Sequence, residues 1–296
     1  MPSDSLSNRN TYFIATEENA PEVARLVYQK QLIIQAQGEL LPDGIDLRGV
    51  RTVLDLACGP GTWALEMATA YPHMQMVGVD LSQTMLAYAA LYAQADAIPT
   101  VRFEQMDMLH AWPLPAASFD LVNADYLQSF LQPHDWPRLL AECRRVLRPG
   151  GILKLGELEF GISTGAATEA LYAIWARTMK ETGRTFSSDG RHLGITAMLR
   201  PLLLDAGYQR IQHKAYAVDY SSRSGAEVHR GFLEDVIMLS RHLGPFVART
   251  LGQAVYEQTQ QLIEQAQAEM EQPDFCCIVY YLAAWGSTPA ETAVFP

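Results

Sequence analysis

Cysteine is scarce: four in 296 residues, at 58, 143, 276 and 277, with no C-x-x-C pair and no metal-binding spacing. A disulfide framework and a zinc site are therefore not expected, and reduced, mostly buried thiols fit a cytoplasmic protein. Positive charge is in deficit, with 22 Lys and Arg against 33 Asp and Glu and a formal charge of −11. Nucleic-acid phosphates would be repelled unless a basic patch were hidden, and Arg144, Arg145 and Arg148 read as one solvated helix face. No apolar stretch is long enough to span a bilayer, and the polar N-terminus has no signal-peptide core. Internal repeats and low-complexity linkers are missing too. A chain of this length can bury a sizeable core in one large domain or two small ones.

The most informative stretch is residues 52–64. Val53, Leu54 and Leu56 form a short apolar run, the pattern of a strand buried on both faces. Gly59-Pro60-Gly61 breaks it, and Thr62 to Ala70 reads as a helix, so backbone N–H groups and a helix start can approach a ligand closely. Gly59-x-Gly61-x-x-Ala64 formally satisfies the dinucleotide fingerprint. A dinucleotide would set its pyrophosphate here, however, and Asp55, four residues before the first glycine, would repel it. Asp55 suits a ligand that carries an ammonium group.

Alternation of elements continues downstream. Strands are expected at 76–80, 101–107, 119–125 and 151–157, with helices after Ser82 and from about Asp135 to Leu147. This order argues a parallel, doubly wound α/β sheet. An N-terminal helix starts at Asn19-Ala-Pro-Glu22 and ends at Leu41-Pro42-Asp43-Gly44. Beyond Glu157 come helices at 167–182 and 192–206, a strand at 208–220, helices at about 225–243 and 246–271, and a last strand at 275–285.

Five motifs together resemble the class I S-adenosylmethionine (SAM)-dependent methyltransferases, over about residues 50–156. They are Val53-Leu-Asp-Leu-Ala-Cys-Gly-Pro-Gly-Thr62, Gly78-Val-Asp-Leu-Ser-Gln-Thr-Met-Leu86, Met106-Asp107-Met108, Phe119-Asp-Leu-Val122 and Arg145-Val-Leu-Arg-Pro-Gly-Gly151. The nearest likeness is to the small-molecule branch typified by ubiquinone and menaquinone biosynthesis. The resemblance implies a seven-stranded sheet of order 3-2-1-4-5-7-6 with the last strand antiparallel. A domain over 46–296 is expected, and position at the carboxyl ends of the strands suggests a helical lid segment at 1–45 with further lid insertions at about 160–190 and 221–272.

The resemblance assigns cofactor roles residue by residue. Ala57, Gly59 and Gly61 would carry the backbone under SAM, and Asp55 would meet its ammonium. Asp80 would accept the ribose hydroxyls, Leu81 and Met85 would flank the adenine, and Asp107 would accept the adenine amino group with Met108 over the ring. Asn123 would lie beside the sulfonium, its backbone carbonyl mattering most, and Tyr12 would cover the site.

The acceptor side is less determined. Aromatic candidates such as Tyr172, Trp175 and Phe232 favour a small, largely apolar or aromatic metabolite over a polymer. Base candidates are Asp125, Tyr126, Glu157, His192 and His229, with His192 best placed, at a helix start on the active edge. No metal arrangement is visible. Methyl transfer from an activated sulfonium can run on proximity and desolvation, releasing S-adenosylhomocysteine (SAH) without a triad. Two rival readings use the same motifs: a non-catalytic SAM-binding partner, and an enzyme running a non-methylating SAM reaction. The lid helices could alternatively form a homodimer interface.

Overall fold

The computed structural model describes residues 20–290. Tyr12 and the expected cap at Asn19 lie outside them. Helix α1 (Ala20–Gln37) leads to β1 (Thr52–Leu56), α2 (Thr62–Ala70), β2 (Gln75–Asp80), α3 (Gln83–Ala95) and β3 (Val101–Gln105). β4 (Phe119–Asp125), a 3-10 turn at Leu127–Ser129, α4 (Trp136–Val146) and β5 (Leu147–Leu158) complete the alternating half. Then follow β6 (Ile162–Ser163), α5 (Ala166–Glu181), α6 (Ile195–Asp205), β7 (Gln209–Asp219), α7 (Ala226–Leu251), α8 (Gln253–Met270) and β8 (Cys277–Ser287).

The sheet runs β3-β2-β1-β4-β5-β8, with β7 on the far edge of β8. β1 to β5 are parallel, and β8 is antiparallel to both β5 and β7. Counting long strands, this is the expected order 3-2-1-4-5-7-6. The eighth strand, β6, pairs Ile162 and Ser163 with Ile278 and Cys277, so it resumes the β5 edge of β8 after a short break. Its two residues carry no strand pattern that could have been read in advance.

Strand alternation sorts the core into two layers. Leu54, Leu56, Val122, Ala124, Leu153 and Leu155 face one layer with α4 and α6, while Val53, Met76 and Leu121 face another with α2. The residues between them on the second face are polar. Asp55, Asn123, Asp125 and Lys154 all lie there, buried, at or near the carboxyl ends of their strands. Helix α1 covers this face farther along, where Ile33 packs on Tyr216, Tyr281 and Ala283.

Three expectations need correction. The long helix does not break at Gly244-Pro245: α7 runs through Pro245 to Leu251 because Leu243, Phe246 and Val247 on either side are buried. The break comes at Gly252, whose φ of 92° and ψ of 166° only glycine adopts readily. α6 starts at Ile195 after Gly194 (φ 74°), which leaves His192 outside the helix. The arginines are not an idle solvated face, since Arg145 donates to Leu114 O and Arg144 to Ala206 O. Arg148, in β5, pairs with Asp120, which also accepts from the Thr52 N–H and so ties β4 to β1 at the amino edge.

Gly156 is where packing around the polar face is tightest. A Cβ there would collide with the Tyr281 hydroxyl and the Asp125 carboxylate. Gly156→Ala should therefore destabilise the fold by about 1–3 kcal/mol, the usual cost of overpacking. Urea denaturation checks this, and an unchanged midpoint would show that the pair can move aside.

Candidate active site

β1 ends at Leu56, and the next residue, Ala57, has a φ of 51°, uncommon for a non-glycine residue. Such strain concentrates at functional sites. It turns the chain so that the Cys58 N–H bonds to Val79 O at 3.0 Å and the Gly59 N–H to Asp80 Oδ2 at 2.8 Å. The two motif glycines then do different work. Gly59 (φ 55°) faces open space, and a Cβ placed there would have nothing within 4 Å, whereas a Cβ at Gly61 would strike the Phe103 ring at 2.7 Å. Gly61 thus lets β3 pack against the turn, and Gly59 leaves the turn open to a ligand.

Asp80 closes the turn from β2. Its other oxygen accepts the Ser82 N–H at 2.9 Å, and Ser82 caps α3 through the Met85 N–H at 3.0 Å. Leu81 is half-buried beside it and Met85 is buried. Past β3, which ends at Gln105 rather than Asp107, Asp107 accepts from the Leu109 N–H at 2.8 Å and sits 2.7 Å from His110 Nδ1. Met108 is partly buried against the core.

Asp55 and Asn123 are register partners on β1 and β4. The Asn123 amide donates to Asp55 Oδ1 at 2.7 Å, while Asp55 Oδ2 and Asn123 Oδ1 are buried without a partner. Burial pushes the Asp55 carboxyl up to about 7, against the opposing pull of the Asn123 hydrogen bond and Lys30.

One strand end further on, Asp125 is bonded by Lys30 from α1, Lys154 from β5 and the Tyr281 hydroxyl from β8, the last at 2.9 Å. Burial alone would raise this carboxyl; the two ammonium groups outweigh that and hold it below the usual carboxylate range. Burial pulls Lys154 down to about 8, with Asp125 opposing. Tyr126 follows in the left-handed conformation (φ 60°), its hydroxyl buried and unpartnered. Glu157 Oε1 accepts the Leu127 and Gln128 N–H groups at 2.8 and 3.2 Å, and burial raises this carboxyl well above its usual range.

A family model described as a methyltransferase domain matches residues 53–151. Over these residues the chain is similar to methyltransferase domains. Among curated relatives, a trans-aconitate 2-methyltransferase of Azoarcus sp. is 40% identical over 111 residues, 38% of this chain and 40% of that protein. A demethylmenaquinone methyltransferase of Deinococcus radiodurans is 42% identical over 125 residues, 42% of this chain and 49% of that protein. The match thus spans about half or less of these relatives' own lengths. A Haemonchus contortus phosphoethanolamine N-methyltransferase 2, solved with phosphomonomethylethanolamine and SAH, superposes at a TM-score of 0.53 and 18% identity. That superposition covers 96% of this chain and 60% of the other, and it shows the shared fold.

Within the matched residues, the structure brings Asp55, Ala57, Gly59, Asp80 and Asn123 to one edge, the carboxyl ends of β1, β2 and β4. Of the base candidates, Asp125, Tyr126 and Glu157 lie together at the ends of β4 and β5, and the two histidines lie apart from them. His192 is exposed on the loop before α6, and His229 is pinned between Tyr220 O and Met270 O, at 2.8 and 2.7 Å from its two ring nitrogens. Among the described residues no group of three or more His, Cys, Asp or Glu could hold a metal ion, and no helix is long and apolar enough to cross a membrane. Sequence reasoning missed Lys30, Lys154 and Tyr281. Lys154 did carry a signal: a lysine inside Ile152-Leu-Lys-Leu155, a strand buried on both faces, must have a partner.

Asp55 binds its proton more tightly in the folded than in the unfolded chain. Its contribution to stability is therefore fully present below pH 4 and is lost as pH rises through about 7. Removing the charge in Asp55→Asn should shift stability relative to wild type by up to about 4 kcal/mol between pH 4 and pH 8, in the variant's favour at the higher pH. Paired denaturation curves at the two pH values measure it, and a constant difference would show that Asp55 is ionised throughout.

Proposed function

We propose that the protein transfers a methyl group from SAM to a small-molecule acceptor and releases SAH. One observation carries the cofactor half: the two buried, unpartnered atoms at the β1 and β4 ends, Asp55 Oδ2 and Asn123 Oδ1, are both acceptors. They require a ligand that brings donors, as the SAM ammonium does and a dinucleotide pyrophosphate does not. The open side of Gly59 gives that ligand room.

In this reading Asp55 and Asn123 hold the amino group, and the Asn123 carbonyl lies toward the sulfonium. Asp80, whose oxygens take the Gly59 and Ser82 N–H groups, would also accept a ribose hydroxyl. Leu81 and Met85 contact the adenine, Asp107 shares its carboxylate with the adenine amino group, and Met108 covers the ring. Tyr12 would add cover from outside the described residues. When bound, SAM supplies an already activated methyl group. The chain's own task is then to orient the acceptor and exclude water, with α1, residues 160–190 and residues 221–272 acting as a lid over 46–296. Tyr126 and Glu157 would face the acceptor, and the exposed His192 would serve only if the loop closed. The free thiols, Cys143 and Cys277 buried among them, favour a reducing compartment such as the cytoplasm.

Incubation with methyl-labelled SAM and a pool of small metabolites should move label into a low-mass product. Label that stays in SAM, with SAM bound, would leave a binding protein without transfer. Asp80→Ala should weaken SAM by about 1–3 kcal/mol in a folded variant, as calorimetry would read. Because the ammonium needs Asp55 ionised, SAM affinity should fall as pH drops below about 7, by up to about tenfold per unit, and level off above it. Flat affinity from pH 5 to 8 would remove Asp55 from the amino-group site.

A further inference from the structure

The acceptor side of the site is rich in unused donors and poor in usable bases. Lys30 Nζ carries three N–H donors and makes one protein bond, to Asp125 Oδ2. It lies 5.4 Å over the Tyr126 ring, with its side chain only 15% exposed. The Tyr126 hydroxyl, held by a left-handed backbone, is buried with no acceptor. Two lysines share the single carboxylate of Asp125, since Lys154 bonds its other oxygen and Tyr281 bonds that oxygen as well. Arg25 is bonded to both Glu22 and Asp235, His242 lies 3.0 Å from Glu22, and Gln29 donates to Asp235.

The bases fail one by one. Asp125 is held by two ammonium groups and a hydroxyl, and Glu157 Oε1 is occupied by two backbone N–H groups. His229 has a carbonyl oxygen at each ring nitrogen, and His192 is exposed. A neutral alcohol or phenol entering here would find each of these candidates already bonded or exposed.

We propose that the methyl acceptor is an organic anion, a carboxylate or an acidic phenol or enol, gripped at the carboxyl end of β4 by the Lys30 ammonium and the Tyr126 hydroxyl. The inference rests on the SAM reading above and names the substrate class of that site. An anionic oxygen gives a lone pair to the methyl carbon while the carbon–sulfur pair returns to sulfur. The sulfonium becomes a neutral thioether, the acceptor becomes a neutral ester or ether, and no proton has to leave.

The test is equilibrium titration of the full chain, saturated with SAH, using benzoate, cinnamate and trans-aconitate as anionic probes and benzamide and cinnamide as neutral ones. SAH binding is measured first, so failure there strikes the cofactor reading and is seen separately. At least one carboxylate should bind tenfold or more tighter than the amides. That preference should fall below threefold in Lys30→Gln, and Tyr126→Phe should lower it by threefold or more without altering amide binding. Should Lys30→Gln fail to fold, Tyr126→Phe carries the test alone, because it removes only an unpaired hydroxyl. Equal or tighter binding of the amides, no binding by any carboxylate, or a preference that survives in the folded variants would overturn the proposal.

Discussion

A single buried carboxylate holds the molecule's working end together. Asp125, the last residue of β4, bonds to Lys154 on β5, Tyr281 on β8 and Lys30 on α1. Two of these contacts cross the sheet, and the third brings a helix that precedes the sheet in sequence back over its edge. Buried pairs of this kind add little net stability when complete, but losing one partner costs about 3–5 kcal/mol. Gly156 leaves the space this pairing occupies, and the antiparallel β8 carries Tyr281 to it.

That interaction also divides labour across the sheet. One face is apolar and packs on α4 and α6, where ordinary burial stabilises the fold. On the other face, polar side chains on neighbouring strands line up from Asp55 through Asn123 and Asp125 to Lys154. A second buried contact, Arg25 to Asp235 at 2.7 Å, joins α1 to α7, so the helices over the site are fastened to each other as well as to the sheet. In the proposed reading, ligand recognition and attachment of the covering helices therefore draw on one continuous set of charges.

The meeting of the motif residues at one strand-end edge was legible in the sequence, because local chemistry determines it. A glycine turn after a buried strand, an acid inside that strand and an acid ending the next are short-range patterns, and Asp55, Gly59 and Asp80 meet as those patterns imply. The cluster around Asp125 was not legible. Lys30 and Asp125 are 95 positions apart and Tyr281 and Asp125 are 156 apart, and no periodicity encodes such pairings. Pro245 misled for the opposite reason: its local preference to end a helix was real but was overridden by burial on both sides. His192 looked well placed only while a helix was drawn to include it.

Everything proposed for the site depends on the glycine turn serving a ligand that bears an ammonium and no phosphate. Isothermal titration of the full chain at pH 8 with SAH and, separately, with NAD tests this most directly. Saturable one-to-one binding of SAH and no detectable heat from NAD is the predicted result. Saturable NAD binding without SAH binding would contradict it.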